Sequence, residues 1–295
     1  MRLTHKLIIH SFLMLFVVFC MPSCQREEVN NPGDSTENED SGGAGDNEDD
    51  GRCIDADGNI YKTVVIGNQE WMAENLRTTH FADGTPITLS SHLYSETTPY
   101  RYCPAHNEQY VPTYGYLYNW PAVMHGADGS NNNPSGVQGI CPNGWHVPSD
   151  AEWDEMESTL TDEGVHYSFN TLESACVGDH AGKLAGEGWG LEGWGTLEGA
   201  PGNIDDPNHN SSGFSAMPAG WRANSSYDND EDVYTYLGFG RTACFWSSTR
   251  YDLYMSSIMQ FHKAISRSLD YNKTCVTRDP DSKDNGLSVR CVKDR

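Results

Sequence analysis

Apolar and polar residues alternate with a period of two along several short stretches of this chain, and a helical period stands out in one. Tyr61–Ile66 reads as a strand, paired with Cys53-Ile54 across an Asp55–Asn59 turn. The tight Gly67-Asn68 turn then leads to Glu70-Trp71-Met72. Tyr114–Trp120 is an aromatic run that predicts a strand entering a short helix to Met124. In Trp145-His146-Val147 apolar positions flank a histidine as in a half-buried strand, and Pro148 stops it. Ser149 with Glu152 three residues on forms a capping box, and Pro148 with Trp153 a hydrophobic staple. The helix that follows is predicted to bury Trp153, Met156 and Leu160, to turn Asp154, Glu155 and Glu157 to water, and to end near Gly164. Residues 175–213 read mostly as loop. Phe245–Thr249, Tyr254–Ala264 and Leu287–Val292 predict successive antiparallel strands, with Leu287, Val289 and Cys291 on one face.

The first 51 residues follow other patterns. Met1–Ser23 carries Arg2 and Lys6 ahead of an apolar run from Leu7 to Phe19, too short for a comfortable membrane span, as a secretory signal does. Met21-Pro22-Ser23-Cys24 resembles a lipoprotein signal-peptidase site, so Cys24 is the expected lipidated residue; bulky Phe19 makes Cys20 the poorer candidate. Acyl chains there would hold the protein to a bilayer, each buried CH₂ contributing about 0.8 kcal/mol. Residues 24–51 are then the lipidated cysteine and an acidic, apolar-poor tether that cannot offset the entropy of ordering. Glu27 and Glu28 resemble the acidic export signal of surface-displayed lipoproteins in the Bacteroidetes, which implies an outer-membrane lipoprotein exposed at the cell surface. Residues 52–295 form one domain. Its many aromatics, glycines and asparagines and its few helical patterns favour a loop-rich α+β fold with small antiparallel sheets and one or two short helices.

Four segments carry a family resemblance: Cys141-Pro142-Asn143-Gly144-Trp145-His146-Val147-Pro148-Ser149-Asp150-Ala151-Glu152-Trp153, the stretch from Asp57 to Leu76, Gly213-Phe214-Ser215-Ala216-Met217-Pro218-Ala219-Gly220, and Gly286-Leu287-Ser288-Val289-Arg290-Cys291-Val292. In order and spacing they resemble the Fibrobacter succinogenes major paralogous domain family. More distantly, Pro148–Trp153 and Arg290-Cys291 look like formylglycine-generating enzymes and C-type lectin-like domains. The resemblance implies a C-type lectin-like fold and neither activity. It also places Cys141 beside Cys291, the expected disulfide. Cys53, Cys103, Cys176, Cys244 and Cys275 remain unassigned, and with Cys20 and Cys24 set aside the odd number left requires an unpaired thiol.

A net charge of −23 would repel phosphate backbones and argues against nucleic-acid binding. No nucleophile elbow, phosphate loop or metalloprotease helix is present, and no histidines stand four apart. Asp55-Ala56-Asp57-Gly58-Asn59 begins like a calcium loop, but Ile66 holds the twelfth position, so a hairpin turn is expected. The candidate calcium ligands are Asp205, Asp206 and Asn208, with Asp228, Asp230 and Asp232. Asp206-Pro207-Asn208 faintly echoes a calcium-lectin loop, whereas Trp246 lacks the Asn-Asp partner of that motif. Trp189 and Trp194, in a small glycine tandem, are either core or an exposed platform; indole area favours the core. Should a ligand site exist, the loops from about Lys183 to Asp232 would supply it, with Trp189, Trp194 and Trp221 as stacking faces. The expectation is a surface lipoprotein whose domain binds a glycan or a cell-surface protein. The alternatives are an oxidoreductase related to formylglycine-generating enzymes, which needs reactive cysteines, and a structural fimbria-associated subunit.

Overall fold

The computed structural model describes residues 52–162, 164–165, 167, 174–189, 197–223, 235–254 and 260–295. In chain order the first strands are β1 (Cys53–Ile54), β2 (Ile60–Tyr61), β3 (Thr63–Ile66), β4 (Gln69–Met72), β5 (Thr88–Leu89) and β6 (Tyr100–Tyr102). Two 3-10 turns and helix α1 (Val111–Tyr114) precede β7 (Leu117–Tyr118), helix α2 (Trp120–Met124), β8 (Trp145–His146) and helix α3 (Asp150–Ser158). After β9 (Ala175–Val177) and α4 (Ala181–Leu184) come β10 (Trp221–Ala223), β11 (Thr235–Leu237), β12 (Thr242–Tyr254), β13 (Gln260–Asp270), β14 (Val276–Ser282) and β15 (Val292–Lys293). The α+β, loop-rich reading holds: the longest helix has 9 residues, and the sheets are small and antiparallel except for the parallel β5–β6 pair.

Two four-stranded sheets make the frame, in the orders β3-β4-β15-β8 and β12-β13-β14-β9. The first sheet leads into α3 through the Trp145–Trp153 corner. Ser149 Oγ accepts the Glu152 amide at 3.1 Å, and Glu152 Oε2 accepts the Ser149 amide at 3.0 Å. Glu152 also braces the strand, its Oε1 lying 2.8 Å from His146 Nε2. The helix stops at Ser158, short of Gly164, and the Thr159 hydroxyl caps the Met156 carbonyl at 2.8 Å. Glu157 is buried instead of solvated, because Arg267 reaches it from the second sheet at 2.7 Å.

That second sheet is longer than its sequence suggests. Tyr254–Ala264 spans the end of β12 and the start of β13, and β14, which carries Pro280 and two aspartates, adds a strand that the sequence pattern does not mark. Between the sheets lie two apolar clusters. One joins Trp71, Trp153, Phe214 and Phe245, with ring centroids 4.8–5.8 Å apart, and the other joins Trp145, Trp246, Tyr118 and Leu287. Arg290 is fully buried between Phe214 and Phe245. It donates to the carbonyls of Met72, Phe214 and Ser215 and to Asn75 Oδ1, which ties three of the family-like segments together.

Cys141 and Cys291 form a disulfide with Cα atoms 6.0 Å apart, and a second bridge joins Cys176 to Cys275 across 5.4 Å, fastening the β9 edge to the start of β14. Cys53, Cys103 and Cys244 are free thiols. The Asp55–Asn59 segment is a hairpin turn. Asp55 Oδ1 accepts the amides of Asp57 and Asn59 at 3.0 and 2.9 Å, and Gly58 supplies the left-handed residue at φ 80°.

Candidate functional site

β10 and β11 form a hairpin standing beside one face of the second sheet. Because side chains alternate along a strand, its two faces wall two different clefts. Trp221 lies on one face. Arg222 and Tyr236 lie on the other, the Arg222 guanidinium sitting 4.2 Å over the Tyr102 ring. Gly238, which follows β11, has φ 68°, and a Cβ there would lie 2.6 Å from Trp221 Cζ3, so only glycine lets the indole close against the turn.

The register of the second sheet builds the Trp221 cleft. Thr242 stands opposite Asp270, Cys244 opposite Ser268, Ser268 opposite Thr277, and Ser266 opposite Asp279. Alternation therefore puts Thr242, Cys244, Ser268, Asp270, Asp279 and Asp281 on one face, where with Trp221 they line a cleft of about 270 Å³. The hydroxyls point at the acids. Thr242 Oγ1 donates to Asp270 Oδ1 at 3.0 Å, Ser266 Oγ to Asp281 Oδ2 at 2.6 Å, and Ser268 Oγ to Asp279 Oδ2 at 3.4 Å. Among the described residues the cation at hydrogen-bond distance is Lys273, an exposed residue 2.7 Å from Asp270 Oδ2. Burial, reinforced by Asp279, raises the Asp281 carboxyl above the usual range. Burial likewise pushes the Cys244 thiol up, with Asp281, Asp270 and Asp279 adding to it, so the sulfur stays protonated.

The second cleft, of about 280 Å³, is lined by Leu89, Ser90, Cys103, His106, Glu108 and Tyr236. Ala105 and His106 both hold left-handed backbone, at φ 47° and 57°, in the turn after Cys103. Cys103 has a free thiol, but burial and then Glu108 raise its pKa, which is the wrong direction for a nucleophile. Cys53 is pushed up to about 12, chiefly by burial.

The sequence-derived candidates separate. Trp221 lines a cleft, with carboxylates other than those expected. Trp189 sits in the core, 4% exposed, donating its indole N–H to the Ala216 carbonyl at 2.8 Å; its ring fills space between α4 and the 213–220 segment and presents no platform. Asp206 is spent on its own loop, accepting the Gly199 and Asn208 amides at 2.7 and 2.8 Å, which hold its pKa low. Asp205 and Asn208 are exposed beside it. Among the described residues no group of three or more His, Cys, Asp or Glu side chains is placed to hold a metal ion. Cys24, Trp194, Asp228, Asp230 and Asp232 lie outside the described residues. Sequence reasoning missed Asp270, Asp279 and Asp281. Their signal was the alternation in Thr277-Arg278-Asp279-Pro280-Asp281, masked by a proline in an edge-like run.

A model of the Fibrobacter succinogenes major domain matches residues 64–293. No curated protein and no solved structure matches the chain.

Proposed function

Since the chain belongs to the Fibrobacter succinogenes major domain family, we propose that it is a binding protein: a lipoprotein anchored through Cys24, exposed at the cell surface, that presents a C-type lectin-like domain. The ligand enters the cleft walled by Trp221 and takes its hydroxyl contacts from the acids and hydroxyls of the β12–β14 face. One observation carries this reading: a partly buried indole closes a concavity whose polar groups converge from three strands. Flat indole beside carboxylates is the chemistry that sugar rings use, apolar face to the ring and hydroxyls to the acids. The oxidoreductase alternative calls for reactive cysteines, and burial holds Cys53, Cys103 and Cys244 in the thiol form.

The test is a glycan-array screen of the Cys24→Ala chain, with and without calcium, beside the same chain carrying Trp221→Ala. Retention of a glycan by the first and its loss in the second is expected, with calcium making no difference at this cleft. Retention that survives loss of Trp221 would refute the site. For the anchor, an alkyne fatty acid should label the parent chain in cells and leave Cys24→Ala unlabelled, and protease added to intact cells should remove the domain.

A further inference from the structure

The charges on the two faces of the β12–β14 sheet differ in a way that specifies the ligand of the Trp221 cleft. Beneath α3, every carboxylate reaching the sheet meets a guanidinium. Arg267 and Arg278, opposite each other in the register, take up Asp150, Asp154 and Glu157 at 2.5–3.0 Å. On the cleft face, among the described residues, Asp270 pairs with the exposed Lys273, and Asp279 and Asp281 have no ion pair. Asp281 is held by Ser266 and Asn285, and Asp279 only by Ser268 at 3.4 Å. Lys263, whose charge reaches Asp281 without a hydrogen bond to it, donates to the Pro280 carbonyl at 3.0 Å.

A second feature of the cleft is independent of the acids. The Cys244 sulfur lines it, 6% exposed, as a free thiol with no hydrogen-bond partner among the described residues. Its unused capacity is that of a weak acceptor and weak donor. The cleft therefore offers acceptors and an aromatic face; among the described residues its one lining cation, Lys273, is engaged by Asp270, and none is within hydrogen-bond distance of Asp279 or Asp281.

Resting on the reading of this cleft as the ligand site, we infer that its ligand carries a primary ammonium, as a de-N-acetylated amino sugar does. The ammonium sits among Asp279, Asp281 and Cys244, in the position that guanidinium groups hold on the other face of the sheet. The pyranose ring lies against Trp221, which gives both ring stacking and attraction between the cation and the indole. Thr242 and Ser268 take the ring hydroxyls. A neutral N-acetyl sugar would leave the two acids without a cation at hydrogen-bond distance and would add an acetyl group to a small cleft. A carboxylated sugar would be repelled.

The experiment compares glucosamine tetramer with its fully N-acetylated counterpart and with lysine amide. Each is titrated into the Cys24→Ala chain at slightly acid pH and read by calorimetry and by the Trp221 indole N–H resonance, assigned through Trp221→Phe. The amino-sugar tetramer is expected to bind at least tenfold more tightly than the N-acetylated one, to shift the Trp221 resonance, and to weaken as ionic strength rises. Asp279→Asn with Asp281→Asn should cost at least tenfold. Should the double variant fold poorly, Asp279→Asn alone with the salt series answers the same question. Equal binding of the two tetramers with a shifted Trp221 resonance overturns the ammonium assignment and leaves the cleft standing. Tighter capture of lysine amide than of the amino sugar also overturns it. Binding that never moves Trp221 overturns both.

Discussion

The two faces of the β12–β14 sheet hold charged side chains in comparable number and treat them oppositely. On the α3 face Asp150 accepts from both Arg267 and Arg278, Glu157 from Arg267, Tyr167 and His180, and the Arg267 guanidinium lies 4.6 Å over the Tyr167 ring. Asp150, Glu157, Arg267 and Arg278 are buried and engaged with one another, so the geometry of that network is fixed and little of it is left for a ligand. On the cleft face the acids are held by hydroxyls and remain open to solvent. A buried charge network fully satisfied is structure. One left short of a counter-charge in a concavity is a site.

The comparison breaks first at Arg267. Arg267→Met leaves Asp150, Asp154 and Glu157 short of a cation in the core and should cost about 3–5 kcal/mol in urea denaturation. A cost under about 1 kcal/mol would mean the α3 face is no tighter than the cleft.

The tryptophans sharpen the same contrast. Trp189→Ala removes a core ring and a bonded indole N–H, and a loss of about 3–5 kcal/mol is expected. Trp221, partly exposed on the cleft wall, should cost roughly half as much when truncated to alanine. Equal losses would place Trp221 in the core as well.

A smaller effect separates the acids within the α3 face. Asp154, whose side chain is 25% exposed, is raised to about 6, first by burial, because Asp150 and Glu157 already compete for Arg267. A carboxyl raised on folding contributes stability below its unfolded value that is lost as pH rises through about 6. Asp150 and Glu157 are lowered by their arginine, so their contribution is present above the unfolded range and is lost only as pH falls through it. From pH 5 to 7 the protein should therefore lose on the order of 1–2 kcal/mol through Asp154. His146, raised by Glu152 and Asp294 against burial, adds a slope of the same sign. Asp154→Asn should flatten the melting-temperature profile over that range by the Asp154 share. An unchanged slope would show that Asp154 titrates normally.

Much of this frame is local, and was legible for that reason. The capping box at Ser149, the Asp55 hairpin and the staple at Trp153 are instructions written within a few residues of each other. Cys141 and Cys291 were paired through family resemblance, since nothing nearby joins residues 150 positions apart. The α3 network and the cleft depend on long-range register. Glu157 looks solvent-facing on its own helix until Arg267 arrives from 110 positions away. Asp270, Asp279 and Asp281 become one surface only when β13 and β14 pair with Ser266 opposite Asp279. Trp221 was legible as an aromatic in a loop-rich region; Asp270, Asp279 and Asp281 beside it were not, because only the register of the sheet brings them there.

The most direct test is the unfolding free energy of Asp150→Asn measured beside that of Asp281→Asn. The first should fall by about 3 kcal/mol or more, since it leaves two arginines underpaired in the core. The second removes one of several like charges from an open cleft, and should leave stability within about 0.5 kcal/mol of the parent or raise it. A loss at Asp281 equal to that at Asp150 would contradict the account, because the cleft acids would then be part of the scaffold.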